Sequence, residues 1–282
     1  MKRKSANWLI VMLLSAFVLT GCGVRFLYNN VDWLVIEYLD DYVDLESGQE
    51  EWLSDKISLL SQWHRRHELP HYIDHLDQLI ELDLKTFTAQ ELAAQKIQFQ
   101  QHGERLLIEI EPQLLLLASQ LSDEQVEQFM KNLRVRHGKY QDKYQSLNDT
   151  EIRQRYAESI AENVERWFGS LTEEQETVVE LWTSEMEVTV PDWVAYQTQV
   201  RLQVKEMLAL RADADILSGR LNQILNEPER LYSDELIRKL HHNRGVMDVY
   251  LVQIVNLATD KQATYYCDTL KEWKDVALDI LQ

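Results

Sequence analysis

Apolar side chains recur along most of the chain at steps of three and four. Trp52, Leu59 and Trp63 run beside Leu53, Ile57 and Leu60, and Tyr266, Leu270, Trp273 and Ala277 repeat the rhythm near the other end. At 3.6 residues per turn such positions share one helix face. The helix starts are equally legible. A Ser or Thr that accepts a hydrogen bond from the backbone N–H three residues on, with a Glu or Gln there bonding back, closes a capping box. That pattern stands at Ser47–Glu50, Thr88–Glu91, Ser122–Gln125, Thr172–Gln175 and Thr259–Gln262. Pro70, Pro191 and Pro228 suit first helical turns, whereas Pro112 would bend or split a long helix. These signals predict helices over 28–44, 47–68, 70–85, 88–119, 122–146, 149–168, 172–188, 191–211, 213–226, 229–257 and 260–281. Joints this short favour antiparallel hairpins of neighbouring helices.

Composition points the same way. Only 8 Gly and 4 Pro occur in 282 residues, too few for the frequent turns of hairpins and sandwiches. Leu, Glu, Gln, Lys and Ala form helices well. The expected fold is all-α, an elongated multi-helix bundle of antiparallel hairpins, with a possible subdivision near 147–150.

The first residues break the pattern. Lys2, Arg3 and Lys4 precede an apolar run, Leu9–Leu19, that is shorter than the roughly 20 residues a membrane span needs. A basic start, a short apolar core and small residues after it describe a secretory signal. Leu19-Thr20-Gly21-Cys22 resembles the lipobox of bacterial lipoproteins. That resemblance implies cleavage after residue 21, lipid on Cys22, and a periplasmic all-helical body over 22–282. Stable anchoring takes more than one acyl chain, which a multiply acylated cysteine supplies. Gly23 in place of Asp implies export to the outer membrane of a Gram-negative bacterium, here expected on its periplasmic face. Cys267 is then the one remaining thiol. It reads as a small apolar residue, and no intrachain disulfide can form.

Charge narrows the partners. Residues 22–282 hold 26 Lys and Arg against 47 Asp and Glu, a net charge of −21. That balance argues against nucleic acid or an anionic lipid surface and suits a solvated acidic helix surface. The expected partners are the membrane, through the lipid, and another envelope protein. No motif implies a cofactor or a small-molecule substrate. There is no Gly-x-Ser-x-Gly elbow, phosphate-binding glycine loop or supported Cys-His pair, so a non-enzymatic role is expected.

The cap sequences themselves repeat. "LSDEQ" (121–125) and "LTEEQ" (171–175) nearly match, while "LESGQE" (45–50) and "LATDKQ" (257–262) read as looser copies with one residue inserted. The tight copies resemble the Leu-Thr-x-x-Gln motif of Spy-type periplasmic chaperones. Any capped turn with a leading apolar staple produces the same letters.

"WHRRHELPHYIDH", Trp63 to His75, carries the densest chemistry. His64, His67, His71 and His75 are candidate metal ligands, since an unbroken helix would place the last three at i, i+4 and i+8. Pro70 interrupts that face. "HYIDH" has the spacing of a zincin helix but lacks the Glu that would act as base. The fuller reading is a helix–Pro–helix corner. Trp63 buries its ring, His64, Arg65 and Arg66 offset the helix dipole, and Arg65 or Arg66 pairs with Glu68 or with the acids of "LDDY".

The lipobox, "LYNNVDWLVIEYLDDYVDL" and "WHRRHELPHY" together resemble an uncharacterised family of Gram-negative envelope lipoproteins. The matching residues are Tyr28, Asn29, Asn30, Asp32, Trp33, Asp40, Asp41 and Tyr42, then Trp63, His64, Arg65, Glu68, Leu69, Pro70 and Tyr72. The resemblance implies a helical lipoprotein and assigns no activity. Two functions follow: an acidic lipid-anchored scaffold, adaptor or chaperone-like protein, or a metal-binding lipoprotein using His64–His75. The corner with Asp40, Asp41 and Tyr42 is the expected functional surface.

Overall fold

The computed structural model describes residues 21–282. Residues 1–20, which carry the expected leader, and the side chain of Cys22 lie outside the described set. Regular structure among the described residues is helical throughout. The helices are α1 (Gly21–Asn29), α2 (Val31–Asp40), α3 (Ser47–Trp63), α4 (Leu69–Ile80), α5 (Ala89–Gln120), α6 (Asp123–Tyr144), α7 (Asp149–Phe168), α8 (Glu173–Glu185), α9 (Val190–Ala209), α10 (Ala214–Asn226), α11 (Asp234–Asn256) and α12 (Asp260–Leu281). A π-helical turn, His64–Glu68, joins α3 to α4, and a 3-10 turn, Pro228–Leu231, precedes α11.

Local chemistry sets most of these boundaries. Four of the five expected capping boxes form, at Thr88, Ser122, Thr172 and Thr259. The fifth is displaced: Gln49, not Glu50, bonds back, accepting from the Glu46 N–H at 2.9 Å. A sixth box, Asn148 with Glu151, opens α7. The displacement removes the supposed insertions. Counted from the glutamine, Leu45, Leu121, Leu171 and Ala258 each precede the cap by one residue and the Gln by four.

Those glutamines cap helices and also clasp each other in pairs. Gln125 Nε2 donates to Gln49 Oε1 at 2.6 Å, and Gln262 Nε2 donates to Gln175 Oε1 at 2.7 Å. Each pair also holds backbone carbonyls, Gln120 and Asp44 in one, Ser170 and the buried Ile254 in the other. A separate apolar core grows around each clasp. Leu45, Leu53, Leu121 and Leu208 belong to the first, and Val179, Ile254, Ala258 and Leu270 to the second.

The chain is therefore built twice over, with α2–α6 answered by α7–α9, α11 and α12. The first two helices pair as a hairpin in each half, α2 on α3 and α7 on α8. The next helix then crosses to the other half: α4 packs along α12, and α9 packs along α6. Residues 145–148 link the halves, and helices from either side of that link interlock.

Pro70 does not break the chain's path. A proline clashes with the carbonyl four residues back and offers it no N–H. Here the π turn absorbs the misfit, because the Leu69 N–H reaches the His64 carbonyl, five residues back. Such turns insert one residue into a helix, which swings the following side chains by about 100°. The expected corner is thus a continuous helix with a shifted register. Pro112 likewise lies inside the undivided α5.

Candidate functional site

α4, α5, α7, α11 and α12 do not close against one another. They leave between them a cavity of about 730 Å³ that opens to solvent past the exposed Phe99, Trp167 and Trp273, and which α1 and the π turn complete at one end. Leu76, Leu79, Leu84, Phe87, Phe168, Leu251, Leu270 and Ala277 supply much of its wall, and among the described residues no Asp, Glu, Lys or Arg lines it. Water is a poor filler, since it needs two to four polar partners. The geometry is that of a site for an apolar guest.

Six polar residues of the lining stand together. Tyr28, His64, Tyr72, His102, His75 and Gln95 form a continuous wall. Ring centroids lie 5.8 Å apart for Tyr28 and His64, 5.3 Å for His64 and Tyr72, and 4.6 Å for Tyr72 and His102. Behind the wall Glu68, only 1% exposed, accepts from Arg105 Nε at 2.7 Å. Its second oxygen has no hydrogen-bond partner among the described residues and lies 3.9 Å from His102 Nδ1.

Hydrogen-bond direction fixes the imidazole tautomers. Arg105 can only donate, so at 2.7 Å from its Nη2 the Nδ1 of His102 accepts. The His102 proton is then on Nε2, which donates to His75 Nδ1 at 2.9 Å. His75 in turn donates from Nε2 to Gln95 Oε1 at 2.8 Å. The bonds all run one way, from Arg105 through His102 and His75 to Gln95. At the other end the Tyr28 hydroxyl donates to the Ser61 carbonyl at 3.0 Å and accepts from His64 Nδ1 at 3.0 Å. His64 Nε2 is left as an acceptor. Among the described residues, neither it nor the Tyr72 hydroxyl has a hydrogen-bond partner.

His64, His102, Tyr28 and Tyr72 are held toward their neutral forms. Burial lowers the pKa of His64 and of His102, and the nearby His75 and Arg105 lower His102 further. Burial raises Tyr28 and Tyr72, the latter helped by Glu68. A sign for acid stability follows. The unfolded chain takes up these histidine protons near pH 6.5, while the folded chain resists until lower pH. Stability is therefore full above about pH 6.5 and is lost as pH falls through the folded values. The urea midpoint should drop between pH 7.5 and 5.5, and His102→Gln should flatten that drop. A midpoint that holds or rises on acidification would contradict the neutral assignment.

The residues singled out in the sequence are dispersed. His75 is buried in the wall, His64 edges it, and His67 and His71 are exposed. The four imidazoles do not converge, and among the described residues no three of His, Cys, Asp and Glu are placed to hold a metal ion. Trp63 is half-buried against His67, and Pro70 is exposed. Neither Arg65 nor Arg66 pairs with Glu68 or the "LDDY" acids. Arg65 lies over the Tyr28 ring and reaches Asn29 at 3.4 Å.

The "LDDY" segment sits elsewhere. α2 runs back along α3, which at 17 residues is about 25 Å long, so Tyr28 meets Ser61 while Asp40, Asp41 and Tyr42 lie at the far end. Asp40 and Asp41 are exposed, and Tyr42 packs on Phe129 beneath Arg136. The structure thus keeps Glu68, His64 and Tyr72 as one cluster and detaches the acids. The cluster's other members, His102, Arg105 and Gln95, carry no local signal, because they come from α5 and only tertiary packing brings them in.

A family model covers residues 41–237. The chain belongs to a family of unknown function, DUF6279. The DUF6279 region holds the π turn, His75, His102 and Arg105, whereas Tyr28 and the α12 wall lie outside it. No curated protein and no solved structure matches the chain.

Proposed function

We propose that this DUF6279 protein is a lipid-anchored, non-enzymatic lipoprotein of a Gram-negative envelope, held through Cys22 at the periplasmic face of the outer membrane, whose helical body holds an apolar guest. The cavity carries the reading: its volume is in the range of ligand sites, and such sites are apolar with a few convergent polar groups. The lipobox-like Leu19-Thr20-Gly21-Cys22 supports the anchor. The scaffold and adaptor roles expected from the sequence gain a definite chemistry, since the body would receive a hydrocarbon moiety.

The test uses residues 22–282 and the fluorescent apolar probe N-phenyl-1-naphthylamine. Saturable fluorescence enhancement is expected. Leu76→Trp, which places an indole in the cavity, should abolish it while the helical circular dichroism is retained. Absence of saturable binding by the parent body would remove the reading. The anchor is tested separately, by incorporation of radiolabelled palmitate and its loss in Cys22→Ser.

A further inference from the structure

The cavity's charge balance says more about the guest than its volume does. Among the described residues its wall has no Asp, Glu, Lys or Arg, its three histidines are neutral in the hydrogen-bond chain above, and the ion pair behind it, Glu68 with Arg105, is self-compensating. Lys274, on α12 near the far end, is engaged with Asp77, and Lys85 with the Ala258 carbonyl. A carboxylate entering with its chain would meet no Lys or Arg in the described wall and would face Glu68; Arg65, the nearest guanidinium without an acidic partner among the described residues, lies over the Tyr28 ring outside the lining and reaches Asn29. A fully apolar guest, in turn, would leave two polar atoms of the wall unanswered, the acceptor His64 Nε2 and the donor Tyr72 hydroxyl. They stand side by side, with ring centroids 5.3 Å apart.

α4 lies along the cavity from this polar end toward Leu79, where Tyr266 bonds to the Leu79 carbonyl. Its twelve residues span about 18 Å, the reach of a long extended chain. Resting on the reading of the cavity as a guest site, we propose that it binds one long acyl chain carrying an uncharged ester or hydroxyl head. The Tyr72 hydroxyl donates to the ester carbonyl, His64 Nε2 accepts from a head hydroxyl, and the chain runs toward Leu270 and Phe168. Two sources carry this chemistry: a free monoacyl amphiphile, or an acylglyceryl chain on Cys22 of the protein itself. The second is within reach because Val24, two residues on, lines the cavity.

The experiment uses the full-length chain in phosphatidylcholine vesicles with two photoactivatable, alkyne-tagged probes, 1-palmitoylglycerol and palmitic acid. Crosslinked peptides are mapped by mass spectrometry. The palmitoylglycerol probe should label α4 and α12 peptides several-fold more strongly than palmitic acid does at pH 7.5. Tyr72→Phe should erase that preference, with labelling of the cavity peptides and the helical circular dichroism both retained, a result that loss of folding would not produce. Equal or stronger labelling by palmitic acid in the parent chain would overturn the neutral-head inference and leave the guest reading standing. No cavity labelling by either probe would remove both. Cys22→Ser separates the sources: labelling that rises in this variant assigns the site to the protein's own chain, and unchanged labelling assigns it to a free amphiphile.

Discussion

Replacing Arg105 with methionine should destabilise the protein by about 3–5 kcal/mol, the usual result of stripping a buried charge of its partner. Glu68 is 1% exposed, and its only hydrogen bond among the described residues comes from Arg105. Without the guanidinium the carboxylate would stay desolvated with nothing to offset it. The double variant Glu68→Gln/Arg105→Met removes the charge and should recover most of the loss. A urea-unfolding double-mutant cycle reads this directly. If the single and double variants unfold at the same midpoint, the pair is not the electrostatic unit described. The pair also positions the wall, since Arg105 sets the His102 tautomer, so the single variant should weaken apolar-probe binding as well.

The second large effect is expected at Gln175. Gln175→Ala should cost about 2–4 kcal/mol, whereas Glu91→Ala, in an exposed box of the same type, should cost about 1 kcal/mol. Gln175 is 0% exposed. Its oxygen accepts from the Thr172 N–H at 3.0 Å and from Gln262, and its nitrogen donates to the Ile254 carbonyl at 3.1 Å. Alanine would orphan all three partners at once, and each buried polar group left unsatisfied costs about 1–3 kcal/mol. Gln175→Ala/Gln262→Ala should cost less than the two single losses together, because both remove the same bond. Additive losses, measured by the same unfolding method, would show that the two caps act independently.

Most of the fold was open to inspection in the sequence because helices here are locally determined. Caps, scarce Gly and Pro, and the apolar period each act within a few residues. The partnership of helices was not, and neither was the cavity. Leu76, Leu79 and Leu270 have the spacing of ordinary core residues, and the pattern does not reveal that the opposing wall stands off. The π turn was hidden for a related reason. Pro70 announces a disturbance but not whether the helix ends or widens, and burial of Glu68 beside Arg105 favours widening. The clasps were half visible, since the repeated Leu-x-x-x-Gln spacing shows the caps and conceals that two of them meet. Asp40 and Asp41 drew notice as a charged pair, yet only the antiparallel course of α2 along α3 tells that they lie away from His64.

The crossing of α4 to α12 also sets a timetable. Tyr266 and Leu79, which bond across that contact, are 187 residues apart in the chain. At about 5–20 residues per second of synthesis, the apolar side of α4 waits roughly 10–40 s for the helix that covers it. Loop closure over such a distance is slow and is repaid only when the far contact forms. α4 therefore stays an uncovered amphipathic segment for at least that interval and must be kept from other apolar surfaces until α12 packs on it.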